Sequence, residues 1–167
     1  MDYLHHRTSP LGTITMASDG EALIGLWFVG QKHFGETLGA NRCEDSCAFF
    51  SQVNVWLDCY FQGQIPHYTP PLHLRTTAFR QEVFQLLLTI SYGQTISYGE
   101  IANIIAKRRG MNHMSARAIG SAVAHNPISL IIPCHRVVAG NGDLRGYAGG
   151  IEKKQWLLAL ERKWSST

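Results

Sequence analysis

The most informative part of this 167-residue chain reads Ile128-Ser129-Leu130-Ile131-Ile132-Pro133-Cys134-His135-Arg136-Val137-Val138. Residues 128–132 form an apolar run of strand length, which predicts a buried strand leading directly into Cys134. A free thiol has a pKa of about 8.5 and apolar burial raises it, so a reactive thiolate needs help. His135 could take the proton, and Arg136 could add positive charge nearby.

The contact between Cys134 and His135 depends on local geometry. Neighbouring residues of an extended chain point to opposite faces, so the contact requires a turn or a bridging water. A cysteine after an apolar strand is also commonly a small hydrophobic core residue. The spacing alone leaves both interpretations open.

A carboxylate later in the chain is the candidate partner of this imidazole. The last helix is predicted to place Leu157, Leu160 and Trp164 on one apolar face, which Glu161 shares. A buried carboxylate needs a hydrogen-bonded partner, and His135 is the candidate. The alternative is a Glu at the edge of the face, paired with an arginine or solvated.

Two short helices are predicted upstream. Ser97-Tyr98-Gly99-Glu100 fits a capping box, and Gly110 suits the position after the end of that helix. Ser115 is predicted to cap a second helix made almost entirely of small residues, which closes at residues 126–127. The pair is a helix-turn-helix candidate whose second helix could approach another backbone closely. Packing of a core is the alternative, although Arg117 is the only long charged side chain on that helix.

The N-terminal half has a different character. Residues 12–17 and 23–29 flank Asp19-Gly20, which predicts a β-hairpin, and residues 47–61 predict an amphipathic helix. A stretch bearing proline and glycine, residues 63–71, separates the halves, so the predicted domains are 1–74 and 75–167. Residues 1–74 carry three basic and seven acidic side chains, net −4, whereas residues 75–167 carry twelve and five, net +7. The basic half could face a polyanion or simply be solvated.

Composition narrows the class of protein. Hydrophobic residues make up 45% and charged residues 16%, which excludes a disordered tail. No apolar stretch of leader or membrane-spanning length is present, so no membrane association is expected. Four cysteines in such a chain favour reduced thiols. The expectation is a globular, cytoplasmic protein.

The segment 132–137 resembles the active-site signature of the O6-alkylguanine-DNA alkyltransferases, also called methylated-DNA–protein-cysteine methyltransferases. Five further segments resemble motifs of that family in the family's order: 95–102, 115–120, 125–128, 146–150 and 154–161. The resemblance is strong over residues 70–164 and less specific over the N-terminal half.

This resemblance implies both a fold and an activity. The fold would be α/β (α+β), with a small N-terminal ribonuclease-H-like mixed domain followed by a mainly helical C-terminal domain containing a helix-turn-helix. The activity would be DNA repair by direct reversal, a single irreversible transfer of a methyl or other alkyl group from O6-alkylguanine to the protein's own Cys134. O4-alkylthymine is a second candidate substrate. The partner would be double-stranded DNA, bound through the minor groove by a monomer with the damaged base flipped out.

The family's catalytic roles carry over onto matching positions. Cys134 would accept the alkyl group, and His135 would deprotonate it through a water while Glu161 orients the imidazole. Asn126 would stabilise the turn between the recognition helix and the active-site strand. Tyr98 would donate a proton to the departing guanine and press on its phosphate.

The family's binding roles carry over in the same way. Arg117 would fill the gap left by the flipped nucleotide. Three residues would line the base pocket, largely through backbone groups: Val137, Tyr147 and Ala148. Further DNA contacts would come from small residues of the recognition helix and its cap: Ser115, Ala116, Ala118, Gly120 and Ser121.

Three departures from the family pattern are present, and one of them, Ser91 for a common Pro and Phe84 for a frequent Trp, amounts to tolerable packing changes. The interval from Tyr98 to Arg117 is several residues longer than in the best-known members, through residues 107–113, which affects the turn and the footprint on DNA rather than the chemistry. Some relatives bind zinc through N-terminal Cys and His, but Cys43, Cys47 and Cys59 do not reproduce that arrangement. Neither a metal nor a cofactor is expected.

Three other functions compete with alkyl transfer as interpretations of this sequence. A non-enzymatic lesion binder of the alkyltransferase-like class would lack the reactive cysteine, which is present here as Cys134. A transcription regulator would need the Asn, Gln and Arg side chains that read the major groove, which the second helix lacks. A thiol hydrolase would show turnover on acyl substrates.

Overall fold

The computed structural model describes residues 1–165 and shows two compact units. Residues 1–75 and 127–131 form the first unit, and residues 76–126 together with those from 132 onward form the second. The chain therefore passes between the units near residue 75 and again on both sides of 127–131. None of the helices in residues 1–165 is both long enough and apolar enough to cross a membrane.

The first unit is built on a four-stranded sheet. Its strands are β1 Asp2–Arg7, β2 Ile14–Ser18, β3 Leu23–Phe28 and β4 Arg42–Glu44, in the order β3-β2-β1-β4. Strands β1, β2 and β3 pair antiparallel, whereas β4 runs parallel to β1. The predicted hairpin is confirmed. Gly20 takes a positive φ of 101°, and the Asp19 carboxylate accepts hydrogen bonds from the backbone amides of Glu21 and Ala22.

One helix, α1 Phe50–Phe61, completes the first unit. It begins three residues later than predicted, because the backbone at 47–49 forms a turn with no side-chain cap. Its inward face carries large apolar side chains at helical spacing: Phe50, Val53, Trp56, Leu57 and Tyr60.

The second unit is mainly helical. Its helices are α2 Ala78–Leu87, α3 Tyr98–Arg108, α4 Ala116–Ala124 and α5 Ile151–Ser165, and two short parallel strands, β5 Ile96–Ser97 and β6 Val137–Val138, pair beside them. The pairing joins the start of α3 to the segment that follows Cys134.

The ends of α3 and α4 follow the predicted local chemistry. Ser97 Oγ accepts a hydrogen bond from the Glu100 amide at 3.0 Å, and the Glu100 carboxylate accepts one from the Ser97 amide at 3.2 Å, so the capping box is confirmed. Gly110, which follows the C-cap residue Arg109 of α3, takes a φ of 66°. Ser115 caps α4 by accepting from the Ala118 amide at 3.0 Å.

One sequence prediction is wrong, and a second is wrong in part. Residues 128–132 are buried but form no strand: a single bridge joins Ile128 to Leu26, and Leu130 takes a φ of 71°. On α5 the predicted face is right for Leu157 and Glu161, which are buried, but wrong for Trp164, which is 39% exposed, and Leu160 is only half-buried. The inward positions follow helical spacing but include two ionisable residues: Lys154, Leu157, Leu158 and Glu161.

Candidate active site

Cys134 lies at the start of a single 3-10 turn, Cys134–Arg136. The Arg136 amide donates to the Pro133 carbonyl at 3.0 Å, and the Cys134 amide donates to Ile132 at 2.8 Å. The turn is the geometry that the sequence required for Cys134 and His135 to serve one site. The cysteine side chain is buried, with 4% exposure.

Glu161 of α5 is the hub of a buried hydrogen-bond network. Its carboxylate accepts from His135 Nε2 at 2.5 Å, from Arg136 Nε at 2.8 Å and from Arg136 Nη2 at 3.1 Å. The Gly93 amide donates to the same carboxylate at 3.0 Å. Glu161 is 1% exposed and His135 is 0% exposed, so the predicted pairing of these two residues is confirmed.

The network sets the charges of its members. Burial alone would raise the pKa of Glu161, but the hydrogen bonds from His135 and Arg136 and the charge of Arg136 outweigh it and hold that pKa well below its usual range. Burial lowers the pKa of His135, although the Glu161 carboxylate opposes the shift. The imidazole is therefore neutral at pH 7 and can act as a base, and with Nε2 committed to Glu161 a proton must enter through Nδ1.

Arg136 does not play the part that the sequence suggested. It was expected to add positive charge near the thiol, but its guanidinium binds Glu161, donates to the Ile90 carbonyl at 2.6 Å and stacks on Tyr92 at 5.8 Å from the ring centroid. Because the charge of Arg136 is already paired with the Glu161 carboxylate, it does little to lower the pKa of the Cys134 thiol. That prediction is therefore wrong.

Lys154 is the cation that influences Cys134, and the sequence analysis missed it. Its ammonium is fully buried and donates to three backbone carbonyls: Val137 at 2.6 Å, Leu144 at 2.6 Å and Gly146 at 3.1 Å. Burial lowers the pKa of Lys154 to about 8. Its position seven residues before Glu161, on the same helix face, was the available signal.

The thiol itself is poised by opposing effects. Burial raises the pKa of Cys134, while a hydrogen bond from the Asn126 side chain and the charge of Lys154 lower it. Asn126 Nδ2 also donates to the Ile132 carbonyl at 2.9 Å, which ties the end of α4 to the residue two before the cysteine. The resting group is a neutral thiol with two stabilisers of its anion beside it.

Tyr98 lies at the first position of α3, close to α4. A Cβ placed on Gly120 would sit 3.9 Å from the Tyr98 ring, so the two helices approach closely here. Burial and the nearby Cys134 raise the pKa of Tyr98, while Arg145 opposes that shift. The phenol is thus protonated at neutral pH and can donate.

The segment between β6 and α5 forms one wall of an open cleft. The cleft has a volume of about 650 Å³ and its lining includes Arg145, Gly146 and Gln155. Of the predicted base-pocket residues, Val137 is fully buried, whereas Tyr147 and Ala148 are half-buried. Lys154 donates to the carbonyls of Leu144 and Gly146 in this wall and to that of Val137 in β6, so one buried cation ties the wall to β6.

The predicted DNA contacts lie on the accessible side of α4. Arg117 is exposed, as are Ser115, Ala116 and Ser121, and Ala118 and Gly120 are half-buried. The opposite side of the helix, Ile119, Ala122 and Val123, is buried. All four cysteines, Cys43, Cys47, Cys59 and Cys134, are free thiols.

A buried thiol with a carboxylate-bound imidazole on the next residue defines a protein that uses cysteine as a nucleophile. Residues 78–163 match the family model for the DNA binding domain of 6-O-methylguanine DNA methyltransferase, and residues 3–74 match the model for its ribonuclease-like domain. The chain belongs to the 6-O-methylguanine DNA methyltransferase family.

Individual relatives agree with the family models. A methylated-DNA–protein-cysteine methyltransferase of Mycobacterium bovis is 43% identical over 161 residues, which cover 95% of this chain and 93% of the relative. A protein of the same name from Haemophilus influenzae is 35% identical over 96% of this chain and 86% of its own length. The crystal structure of Mycobacterium tuberculosis OGT in complex with DNA matches with a TM-score of 0.85 at 40% identity, covering 97% and 94% of the two chains.

Proposed function

We propose that this chain removes methyl and other alkyl groups from the O6 atom of guanine in double-stranded DNA and retains them on Cys134. The observation that carries the proposal is the Cys134 turn, where a buried thiol has an anion-stabilising amide and cation beside it and a neutral imidazole next in sequence. Few roles other than nucleophilic chemistry call for that combination.

The reaction follows from the protonation states. The Cys134 thiol loses its proton to His135 through a water, and Glu161 stabilises the imidazolium that results. The thiolate attacks the alkyl carbon, so a sulfur–carbon bond forms as the carbon–O6 bond breaks. The leaving purine takes up a proton donated by Tyr98, whose raised pKa keeps that proton available. The product is a thioether, which no group in this site can cleave, so each molecule acts once.

The exposed side of α4 supports binding of DNA by a monomer through the minor groove. Small side chains there allow close approach without reading sequence, and Arg117 is long enough to occupy the gap left by a flipped nucleotide. The two-helix arrangement of α3 and α4 would serve as the helix-turn-helix. We assign the reaction to the cytoplasm, where the acceptor thiol stays reduced.

The test is the intact mass of the protein after mixing with a duplex that contains one O6-methylguanine. We expect a gain of one methyl group on the peptide that carries Cys134, and no gain in Cys134→Ala, which should still bind the duplex. Binding without any gain in mass by the wild type would favour a lesion binder. A methyl group on Cys59 in the variant would mean that another thiol is the acceptor.

A further inference from the structure

The last two residues of α3 and the turn that leads to α4, together residues 107–114, carry charge that the proposed chemistry does not use. We call these residues the basic turn. Within it, Lys107 and Arg108 end α3 on the exposed surface, and His113 is exposed nearby. Neither Lys107 nor Arg108 forms an ion pair with any residue in the described range 1–165.

The neighbouring sequence adds no negative charge to the basic turn. The sequence has no acidic residue between Glu100 and Asp143. Glu100 is committed to the capping box at the other end of α3. Unscreened positive charge on an exposed surface attracts polyanions.

Arg109 shows by contrast what a structural arginine looks like in this turn. It donates to the Glu82 carboxylate from Nε at 2.9 Å and from Nη2 at 2.5 Å, and its guanidinium lies 5.3 Å from the centre of the Phe79 ring. The pair anchors the turn to α2. Of three consecutive cations, one is used for packing and two are left for solvent or a ligand.

The backbone of the turn is well defined. Gly110 adopts a left-handed conformation, and the Met111 amide donates to the Ala106 carbonyl at 2.8 Å, which closes the end of α3. The turn then leads directly to Ser115, the cap of α4. Lys107 and Arg108 therefore lie at the end of α3 that is joined to the N-terminus of α4, where the helix dipole also favours an anion.

We infer that the basic turn is a second DNA contact, in which Lys107 and Arg108 bind phosphates of the duplex outside the lesion. This inference rests on the proposed function, because it assumes that α4 enters the groove at the damaged base. The contact is sequence-independent, since ammonium and guanidinium groups on phosphates read no bases. It gives this chain a longer footprint than α4 alone provides.

The test compares the salt dependence of binding to an undamaged duplex. Each phosphate contact contributes about 0.9 to the slope of log K against log salt, so K107Q/R108Q should reduce the magnitude of the slope by about 1.8. At 0.1 M salt the affinity should fall by roughly ten- to sixtyfold. Glutamine retains the helix propensity of the replaced residues, so α3 should stay intact.

The matched control removes two exposed cations from the first unit, as K32Q/R42Q. Both double variants lose the same charge, and only K107Q/R108Q should change the slope by about 1.8. Equal slopes in the two variants would overturn the inference. Thermal unfolding of both variants reports whether Lys107 and Arg108 act only on the dipole of α3.

Two further measurements separate this inference from the proposed function. Transfer from free O6-benzylguanine should be the same in K107Q/R108Q and wild type, because that base needs no phosphate contact. Shortening the duplex stepwise on each side of an O6-methylguanine should abolish the difference in affinity at one length, on one side only. A difference that persists at all lengths would overturn the inference, whereas failure of the wild type to transfer any methyl group would overturn the proposed function instead.

Discussion

Two charged regions of the second unit hold their charge in opposite ways. In the Glu161 network, a carboxylate, an imidazole and a guanidinium are all removed from water and satisfy one another. On α4 and the basic turn, Arg117, Lys107 and Arg108 remain exposed. Because the charges of the first region are desolvated, its stability depends on every charge keeping its partner. The exposed charges of the second region cost the fold little and remain accessible to a ligand.

The comparison predicts that the proposed chemistry and the proposed DNA contact can be changed separately. A substitution inside the network should alter stability and reactivity together, with any substrate. A substitution on the exposed surface should alter only the reaction with duplex DNA. Free O6-benzylguanine is the substrate that distinguishes the two.

The largest effect is expected for Glu161→Gln, which breaks the buried network. Removing one partner of a buried ion pair costs about 3–5 kcal/mol, because the remaining charge is left uncompensated. Transfer from duplex and from free O6-benzylguanine should slow alike, since His135 loses the group that orients it. Urea unfolding and single-turnover rates measure the two effects, and Glu152→Gln on the exposed side of α5 is the control. Unchanged transfer rates in a folded Glu161→Gln would make Glu161 a structural residue.

The same carboxylate should give the wild type a characteristic pH dependence. The native pKa of Glu161 lies well below its usual range, so its contribution to stability is complete above the unfolded pKa of about 4.3. That contribution is lost as the pH falls below this value toward the native-state pKa. The difference in free energy of unfolding between wild type and Glu161→Gln should therefore shrink below about pH 4.

The next effect is expected for Arg117→Ala, which tests the exposed region. Unstacking a base costs a few kcal/mol. Without the side chain that fills the gap, the flipped-out state is less stable, so the activation free energy of repair rises by part of that amount. Repair of duplex DNA should slow by roughly ten- to a thousandfold, at about 1.4 kcal/mol for each factor of ten. Transfer from free O6-benzylguanine should be nearly normal. Equal slowing on both substrates would refute the proposal that Arg117 fills the gap left by the flipped nucleotide.

A smaller effect is expected for Lys154→Met, which asks whether the buried cation belongs to the chemical region. The variant leaves three carbonyls without their donor and removes a charge that favours the Cys134 thiolate, so transfer from free O6-benzylguanine should slow. Lys153→Met is the control on the same helix. Normal transfer in Lys154→Met would mean that Lys154 has only a structural role.

Lys154 should also be visible in the pH dependence of stability. Burial lowers its native pKa to about 8 from a usual 10.5, so between these values the unfolded chain binds more protons than the native protein. The Lys154 contribution to the free energy of unfolding should then rise with pH, by up to about 1.4 kcal/mol per pH unit. Urea unfolding of wild type and Lys154→Met from pH 8 to pH 10 measures this as a difference in slope.

The smallest effect is expected for Arg145→Gly in the wall of the cleft. Arg145 adopts a φ of 62°, a left-handed conformation that costs a non-glycine residue about 1–2 kcal/mol. Glycine relieves that cost but gains freedom in the unfolded chain, so the net stabilisation should be about 0.5–1 kcal/mol. Arg145→Ala loses the same guanidinium and keeps the strain, so it should show no such gain. Equal stability of the two variants would mean that the backbone conformation carries no cost here.

Local chemistry explains why parts of the fold could be predicted. The hairpin at Asp19-Gly20, the capping box at Ser97 and the cap at Ser115 each depend on residues within four positions of one another. Backbone amides at a helix start need an acceptor, and the nearest side chain supplies it. Such features can be predicted from short stretches of sequence.

Other features required partners from distant parts of the chain. The run 128–132 looks like a strand but forms only one bridge, because the Ser129 amide donates to Leu26 whereas the Ile131 amide turns back to the Ser129 carbonyl. On α5 the apolar pattern points to Trp164 instead of Lys154, although Lys154 is one of the four buried residues of the helix. A charged residue is buried only when its partners come from elsewhere, and hydrophobic periodicity cannot reveal them.

The sequence by itself determined the kind of chemistry: a cysteine and a histidine side by side, a carboxylate on the last helix, and an exposed arginine on a helix of small residues. Only the tertiary structure decided how the charges are shared. In the folded chain the Glu161 carboxylate binds both His135 and Arg136. Lys154, and not Arg136, is the cation that stabilises the thiolate. The reason is physical, because the protonation state of a buried group depends on every charge and donor packed against it, and packing is a property of the folded chain.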